Sequence, residues 1–262
     1  MQMIVEWVSE DWTTVRSLFD AHKRARAVIF PALEQGRGQL WTNSLESPTI
    51  ARLQLAMINA LAGDSTSPDA QEIVRMIEPM RLVFGPDEGW TQIIKDLWGD
   101  RIGVQPRVLL SPKSLNLDHL LHLREQIPSE YTLERMDLET IKGVDKRRAM
   151  HIPTFFGSSE EFFKMGIAYC IKYEDKIVSM ASTFTPFIDE FEIQVDTSDH
   201  EHRRRGLATA VSAALMSHAL ENGLVPHWDA ANEASIELAL KLGYTDPDRW
   251  EAYYLKPEDD TE

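Results

Sequence analysis

The stretch EFEIQVDT, residues 190–197, and the segment HRRRGLATAVSAALMSHALENG that begins at residue 202 limit what this chain can fold into more than any other feature. Glu190, Glu192, Gln194 and Asp196 alternate with Phe191, Ile193, Val195 and Thr197. A strand with this period puts the four polar groups on one face and the mainly apolar set on the other. Beyond it, Leu207, Val211, Leu215 and Ala219 mark the buried stripe of a helix that Gly223 can end. LVPHWDA then reads as a strand, NEASIELALKLG as a short helix and RWEAYYL as a closing strand. Alternating strands and helices predict a layered α/β fold of the α+β, mixed-sheet kind.

Upstream, YTLERM reads as a strand and DLETIKGVDKRRAM as a helix with Asp137 as its cap. MGIAYCIKYEDKIVSMASTF reads as two strands turning at Glu174-Asp175. The first half mixes signals. SEDWTTVRSLFDAHKRARAVI has helical spacing with Ser9 as a cap, and MRLVFGP, DEGWTQIIKDLWGD and GVQPRVLLSP read as strand, helix and strand. No sequence repeat is evident. The expected division is an N-terminal α/β lobe over 1–112, a connecting helix over 113–127, and a second domain over 128–262.

The formal net charge is −15, which argues against a nucleic-acid binder, because phosphate contacts need a clustered cationic footprint. Cys170 is the only cysteine, so no internal disulfide or thiolate metal cluster can form, and its apolar surroundings predict a buried structural thiol. Neither a secretory signal nor a run long enough for a membrane helix is present, so the expectation is a cytoplasmic protein with no membrane partner.

Against that charge, the consecutive Arg203, Arg204 and Arg205 stand at a helix N-terminus, where they oppose the helix dipole. A bound anion resolves the conflict. Free amides of the first turn, small residues at Gly206 and Ala208, and arginine side chains together suit a pyrophosphate. A solvated basic cluster is the alternative. Neither a Walker loop nor a G-x-G-x-x-G fingerprint occurs.

Arg203-x-x-Gly206-x-Ala208 after a strand resembles the acyl-CoA pyrophosphate loop of the GNAT superfamily of N-acetyltransferases, and HWDAANEASIELALKLGY resembles that family's second conserved region. The likeness spans 128–257 and is closest to a bacterial group with an additional N-terminal lobe, here expected to be a degenerate acyltransferase-like fold. It implies acetyl-CoA as acyl donor. Arg203, Arg204, Arg205, Gly206, Leu207, Ala208 and Thr209 would wrap its pyrophosphate. Val195, Asp196 and Thr197 would pair by main chain with its pantetheine arm, and Asn232 would bind near the donor or brace splayed strands.

The same resemblance implies direct transfer of acetyl to a primary amine of a small molecule or protein. Glu192 is the first candidate for the base and Glu190 the second, with an exposed structural role as the alternative for either. The helix tyrosine that serves many members as general acid is Ala239 here, and Tyr244 is no substitute by position. Asp189, Glu190, Glu192, Asp196, Asp199 and Glu201 crowd one segment, which favours a cationic acceptor. The histidine pairs His119/His122 and His200/His202 lack a third ligand of clear spacing, so no metal is expected. His227 and Asp229 flank Trp228 on one strand face, where a hydrogen-bonded structural pair is the first reading and cleft residues the alternative. A non-catalytic acyl-CoA sensor remains the alternative function, a nucleic-acid role of the arginines comes third, and homodimerisation is left open.

Overall fold

The computed structural model describes residues 3–197 and 200–258, so Asp199 of the acidic segment lies outside the described residues. The chain forms two compact units, residues 1–107 with 250–262 and residues 108–249. The first half runs β1 (Val5–Glu6), α1 (Thr13–Arg16), α2 (Arg26–Glu34), β2 (Gln39–Thr42), β3 (Ile50–Leu55), β4 (Ile58–Gly63), α3 (Ala70–Arg75), β5 (Leu82–Phe84), α4 (Glu88–Trp98) and β6 (Ile102–Ser111). After α5 (Leu117–Arg124), the second half runs β7 (Thr132–Arg135), α6 (Leu138–Lys142), α7 (Ser159–Met165), β8 (Ala168–Tyr173), β9 (Lys176–Thr183), β10 (Glu190–Asp196), α8 (Leu207–Glu221), β11 (Val225–Ala230), α9 (Glu233–Leu242) and β12 (Thr245–Leu255).

The two halves repeat one plan. Each presents strand, two helices, three strands, helix, strand, helix, strand, in that order. The pairing repeats too. The first four strands of each half are antiparallel neighbours in sequence order. The fourth and fifth, β4 with β5 and β10 with β11, are parallel. The last strand of each half serves the opposite unit. Tyr253 of β12 pairs with Val83 of β5, and Leu110 of β6 pairs with Trp228 of β11. The shared plan lies in element order and strand pairing, while the sequence itself shows no evident repeat.

Each unit has its own core. In the first, Ile50, Leu61 and Val83 pack against Ile73, Trp90, Ile94 and Trp98 from α3 and α4. In the second, Phe191 and Trp228 pack against Ala210, Val211, Leu215 and Ala219 of α8, and Leu120 and Leu123 of α5 join them. A smaller cluster, with Met136, Phe156, Phe162, Ala168 and Met180, includes Cys170. Burial pushes that thiol up to about 12. Cys170 should therefore ignore a thiol reagent in the native protein and react on unfolding in denaturant, with rapid native labelling contradicting its placement.

Local differences from the sequence reading have physical causes. The long helix expected after Ser9 is broken: a 3₁₀ turn (Ser17–Phe19) follows α1, and Ala25, left-handed at φ 54, precedes α2. Ser9 instead accepts the Asp11 N–H. Asp137 does cap α6 by accepting the Thr140 N–H at 2.8 Å, but the helix stops at Gly143. A π-helical turn (Ile152–Phe156) follows within the apolar cluster around Phe162. The turn at Glu174-Asp175 has φ of 47° and 64°, as a two-residue hairpin of type I′ requires.

Candidate functional site

The parallel ladder between β10 and β11 is short. Glu190 lies opposite Val225, Phe191 opposite Pro226 and Glu192 opposite His227, and there the pairing ends. Beyond this point β10 continues against β9, from Ile193 opposite Thr183 to Asp196 opposite Met180. β11 continues against β6, with Asp229 opposite Leu109. The two strands therefore fork. Glu192, 8% exposed, sits at the apex, and its Oε1 accepts the Asp229 backbone N–H at 2.8 Å. In a continued parallel ladder that N–H would reach the Ile193 carbonyl. A carboxylate thus takes the donor that would have closed the strands.

The consequence is an open edge. Val225 N–H donates to the Asp189 carbonyl, which places odd-numbered residues of β10 on the β11 side. The Ile193 and Val195 carbonyls therefore turn into the fork, and among the described residues neither receives a side-chain hydrogen bond. Asp196 faces the other way. Its carbonyl accepts the Ser179 hydroxyl, and its carboxylate pairs with Arg148 Nε at 3.0 Å. Thr197 Oγ1 meets Ser179 Oγ at 2.7 Å.

The first unit offers an internal comparison. Its β4–β5 ladder ends at Ala60 opposite Phe84, and β4 runs on against β3 to Gly63. The equivalent carbonyls are those of Leu61 and Gly63. Both are filled by side chains of the same unit: His22 Nε2 meets the first at 2.7 Å, and Trp90 Nε1 donates to the second at 3.1 Å. His22, desolvated between Phe19 and Phe84, falls to about 4, so it is neutral and Nε2 can donate. The Glu192 position is Ala60, and α3 follows Asp69 rather than a glycine-led basic loop. One fork is sealed and one is open.

At the far end of β10 lies the basic loop. Arg204 and Gly206 have φ of 59° and 80° between residues of negative φ, a curl that turns amides toward one point. Gly206 is the N-cap residue of the fifteen-residue α8, with no side-chain cap and no acidic group in the first turn. Arg203 Nε donates to the Thr197 carbonyl at 2.9 Å and Arg205 Nε to the Glu201 carbonyl at 3.2 Å, so two arginines brace the loop. The exposed Arg204 has no such bond among the described residues. An open strand edge therefore ends at an uncapped, glycine-led helix terminus ringed by arginines.

A family model described as GNAT acetyltransferase matches residues 16–253. This chain is a GNAT acetyltransferase. It is 22% identical, over 97% of its length and 99% of the relative's, to a Bacillus subtilis (strain 168) protein named uncharacterized N-acetyltransferase YdfB. Among solved structures it is similar to a GCN5-related N-acetyltransferase-like protein from Streptococcus suis 89/1591, with a TM-score of 0.79 and 25% identity over 94% of this chain and 99% of that one. It also shares its fold with a tandem GNAT protein from the clavulanic acid biosynthesis pathway, at a TM-score of 0.60, 14% identity, and coverage of 98% and 100%. The family's general reaction is acetyl transfer from acetyl-CoA to an amine.

In this acetyltransferase several residues singled out from sequence have structural occupations. Asn232 caps α9, its Oδ1 accepting the Ser235 N–H at 3.0 Å, while Ser235 Oγ accepts from Trp228 Nε1. Ala239 lies inside the core, and Tyr244 is fully buried with its hydroxyl donating to the Pro226 carbonyl at 3.0 Å. Burial raises that phenol well above its ordinary range. His119 meets the Lys241 carbonyl, His122 meets Gln126, and His202 meets the Tyr131 hydroxyl. Among the described residues no group of three or more His, Cys, Asp or Glu is gathered as metal ligands would be, and no helix is long and apolar enough to cross a membrane.

Sequence reasoning missed the wall formed by the 144–166 segment. His151 Nε2 meets Ser182 Oγ at 3.0 Å on the Gln194 side of the sheet, and Arg148 reaches the Ile177 carbonyl as well as Asp196. Desolvation lowers His151 to about 4, so a neutral imidazole holds that wall. Its only sequence signal was the aromatic density of HIPTFFGSSEEFF.

Proposed function

We propose that this acetyltransferase binds one acetyl-CoA per chain in the β10–β11 fork and transfers the acetyl group directly to a primary amine of a cationic small molecule or protein. The observation that carries this reading is the contrast between forks: Leu61 and Gly63 are capped by His22 and Trp90, whereas Ile193 and Val195 present open carbonyls. Pantetheine amides pair with such an edge by main chain, with Val195 and Thr197 nearest the pyrophosphate and Asp196 held by Ser179 and Arg148. The diphosphate is received by the amides of Gly206, Leu207, Ala208 and Thr209 and by Arg204, with Arg203 and Arg205 shaping the loop. Asn232 contributes as the cap of α9. No metal takes part in this reading, and the expected setting is the cytoplasm, with homodimerisation left open.

This arm direction brings the thioester to the apex, where Glu192 and Glu190 lie on the face opposite α8. These carboxylates with Asp229 suit an ammonium acceptor, which must lose a proton before attack. Sequence reasoning gave that step to Glu192 first and Glu190 second, and both carboxylates lie at the apex beside His227.

Calorimetry should give one acetyl-CoA site per chain, and two equal sites would contradict the sealed first fork. Acetyl-CoA and desulfo-CoA should raise the melting temperature and ATP should do so poorly. Thiol release with spermidine, tyramine and a lysine-bearing peptide then tests transfer. A non-catalytic donor sensor is favoured by one observation, the absence of a reachable phenol at Ala239 or Tyr244. Binding without thiol release on any amine supports that alternative.

A further inference from the structure

At the fork apex, His227 of β11 stands directly opposite Glu192, and its Nε2 meets Glu190 Oε2 at 2.8 Å. An ionised carboxylate only accepts hydrogen bonds, so Nε2 is the donor to Glu190, and the ring's other nitrogen, Nδ1, is where a neutral imidazole holds its lone pair. Nδ1 has no partner among the described residues. The side chain is 19% exposed, against 26% for Glu190, so the pair reaches solvent on the face away from α8. Glu192 is differently placed, being buried with one oxygen committed to the Asp229 N–H. Bracing the fork and accepting a substrate proton thus fall to different groups.

We infer that His227 is the group that takes the proton from the acceptor amine, with Glu190 as its positioning residue and Glu192 as the brace of the fork. This deepens the proposed transferase reading and rests on it. In the step, His227 Nδ1 removes one proton from the acceptor's R–NH3+, and Glu190 steadies the imidazolium through Nε2–H. The freed nitrogen lone pair forms the new N–C bond at the thioester carbonyl as the C–S bond breaks. The leaving thiolate takes the second amine proton as the amide forms, and His227 returns its proton to solvent. On the face of the sheet that carries His227 the charged groups are Glu190, Glu192 and Asp196 on β10, Asp229 on its own strand and Arg107 on β6, with Lys113 in the 3₁₀ turn (Pro112–Ser114) packed against β11.

The test compares wild type, H227Q, H227A and E190Q with acetyl-CoA and whichever of spermidine, tyramine or a lysine-bearing peptide turns over. H227Q keeps a donor for Glu190 but no basic nitrogen. It should lower kcat by about 10²–10⁴-fold, abolish the ascending limb of the pH profile, and leave the thermal shift by acetyl-CoA unchanged. Added imidazole should restore activity to H227A, and E190Q should displace the limb without removing it. Wild-type-like kcat with an intact limb in H227Q overturns the inference. Should wild type bind acetyl-CoA yet release no thiol with any of the three amines, it is the transferase reading that fails. Nitrogen-15 spectra of His227 then decide the dyad separately: a protonated Nε2 with a bare Nδ1 supports it, and the opposite tautomer overturns it.

Discussion

A fragment cut at the boundary the sequence suggests, residues 128–262, should fail to fold. It lacks β6, whose Val108 and Leu110 are buried in the second unit's core and whose backbone pairs with Trp228, Asp229 and Ala230. It also lacks α5, which contributes Leu120 and Leu123 to the same core. Burying four such side chains is worth about 6–12 kcal/mol, against a typical net domain stability of about 5–15 kcal/mol. The fragment would in addition carry the end of β12 without β5, an unpaired strand prone to intermolecular pairing. Residues 108–249 keep the end of β6 that pairs with β11, together with α5, and should give a dispersed amide spectrum with a cooperative melt. A well-folded 128–262 fragment would show that the exchanged strands are dispensable.

Gly206→Glu should leave the protein folded and remove its response to acetyl-CoA. Gly206 has φ of 80°, and an added Cβ there would meet nothing nearer than the Gln126 carbonyl at 3.8 Å. The substitution is therefore strained rather than obstructed, at about 1–2 kcal/mol. A carboxylate beside the α8 amides offsets part of this through the helix dipole, by about 0.3–1 kcal/mol. The same carboxylate occupies and repels the position a diphosphate needs. With ligand at 100 times its dissociation constant, wild type should gain about 2.7 kcal/mol, or roughly 5–10 °C for a chain of this size. The variant should gain none of it, while Gly206→Ala, with the strain but not the charge, retains part. An undiminished shift in Gly206→Glu would place the donor away from this loop.

Much of the second unit was legible because its local and global signals agree. The strict alternation in 190–196, the small-residue helix after Gly206, and the hairpin at Glu174-Asp175 each encode their own conformation. Helix caps are similarly local, and Asp137 and Asn232 perform as short-range chemistry requires. The 20–25 and 144–166 segments were not legible. Their conformations depend on what His22 and His151 bury against, and neither contact is close in sequence.

By itself the sequence determined the acetyltransferase family, the order of elements in the second half, and the glycine-led basic loop, since those depend on spacing within a few turns of chain. Tertiary structure alone decided that the halves share one plan and lend each other a strand, that Glu192 holds β10 and β11 apart, and that His227 meets Glu190. The reason is physical. A strand's own residues fix which face is apolar, but which strand lies beside it, and which side chain claims an open carbonyl, is set by partners dozens of residues away.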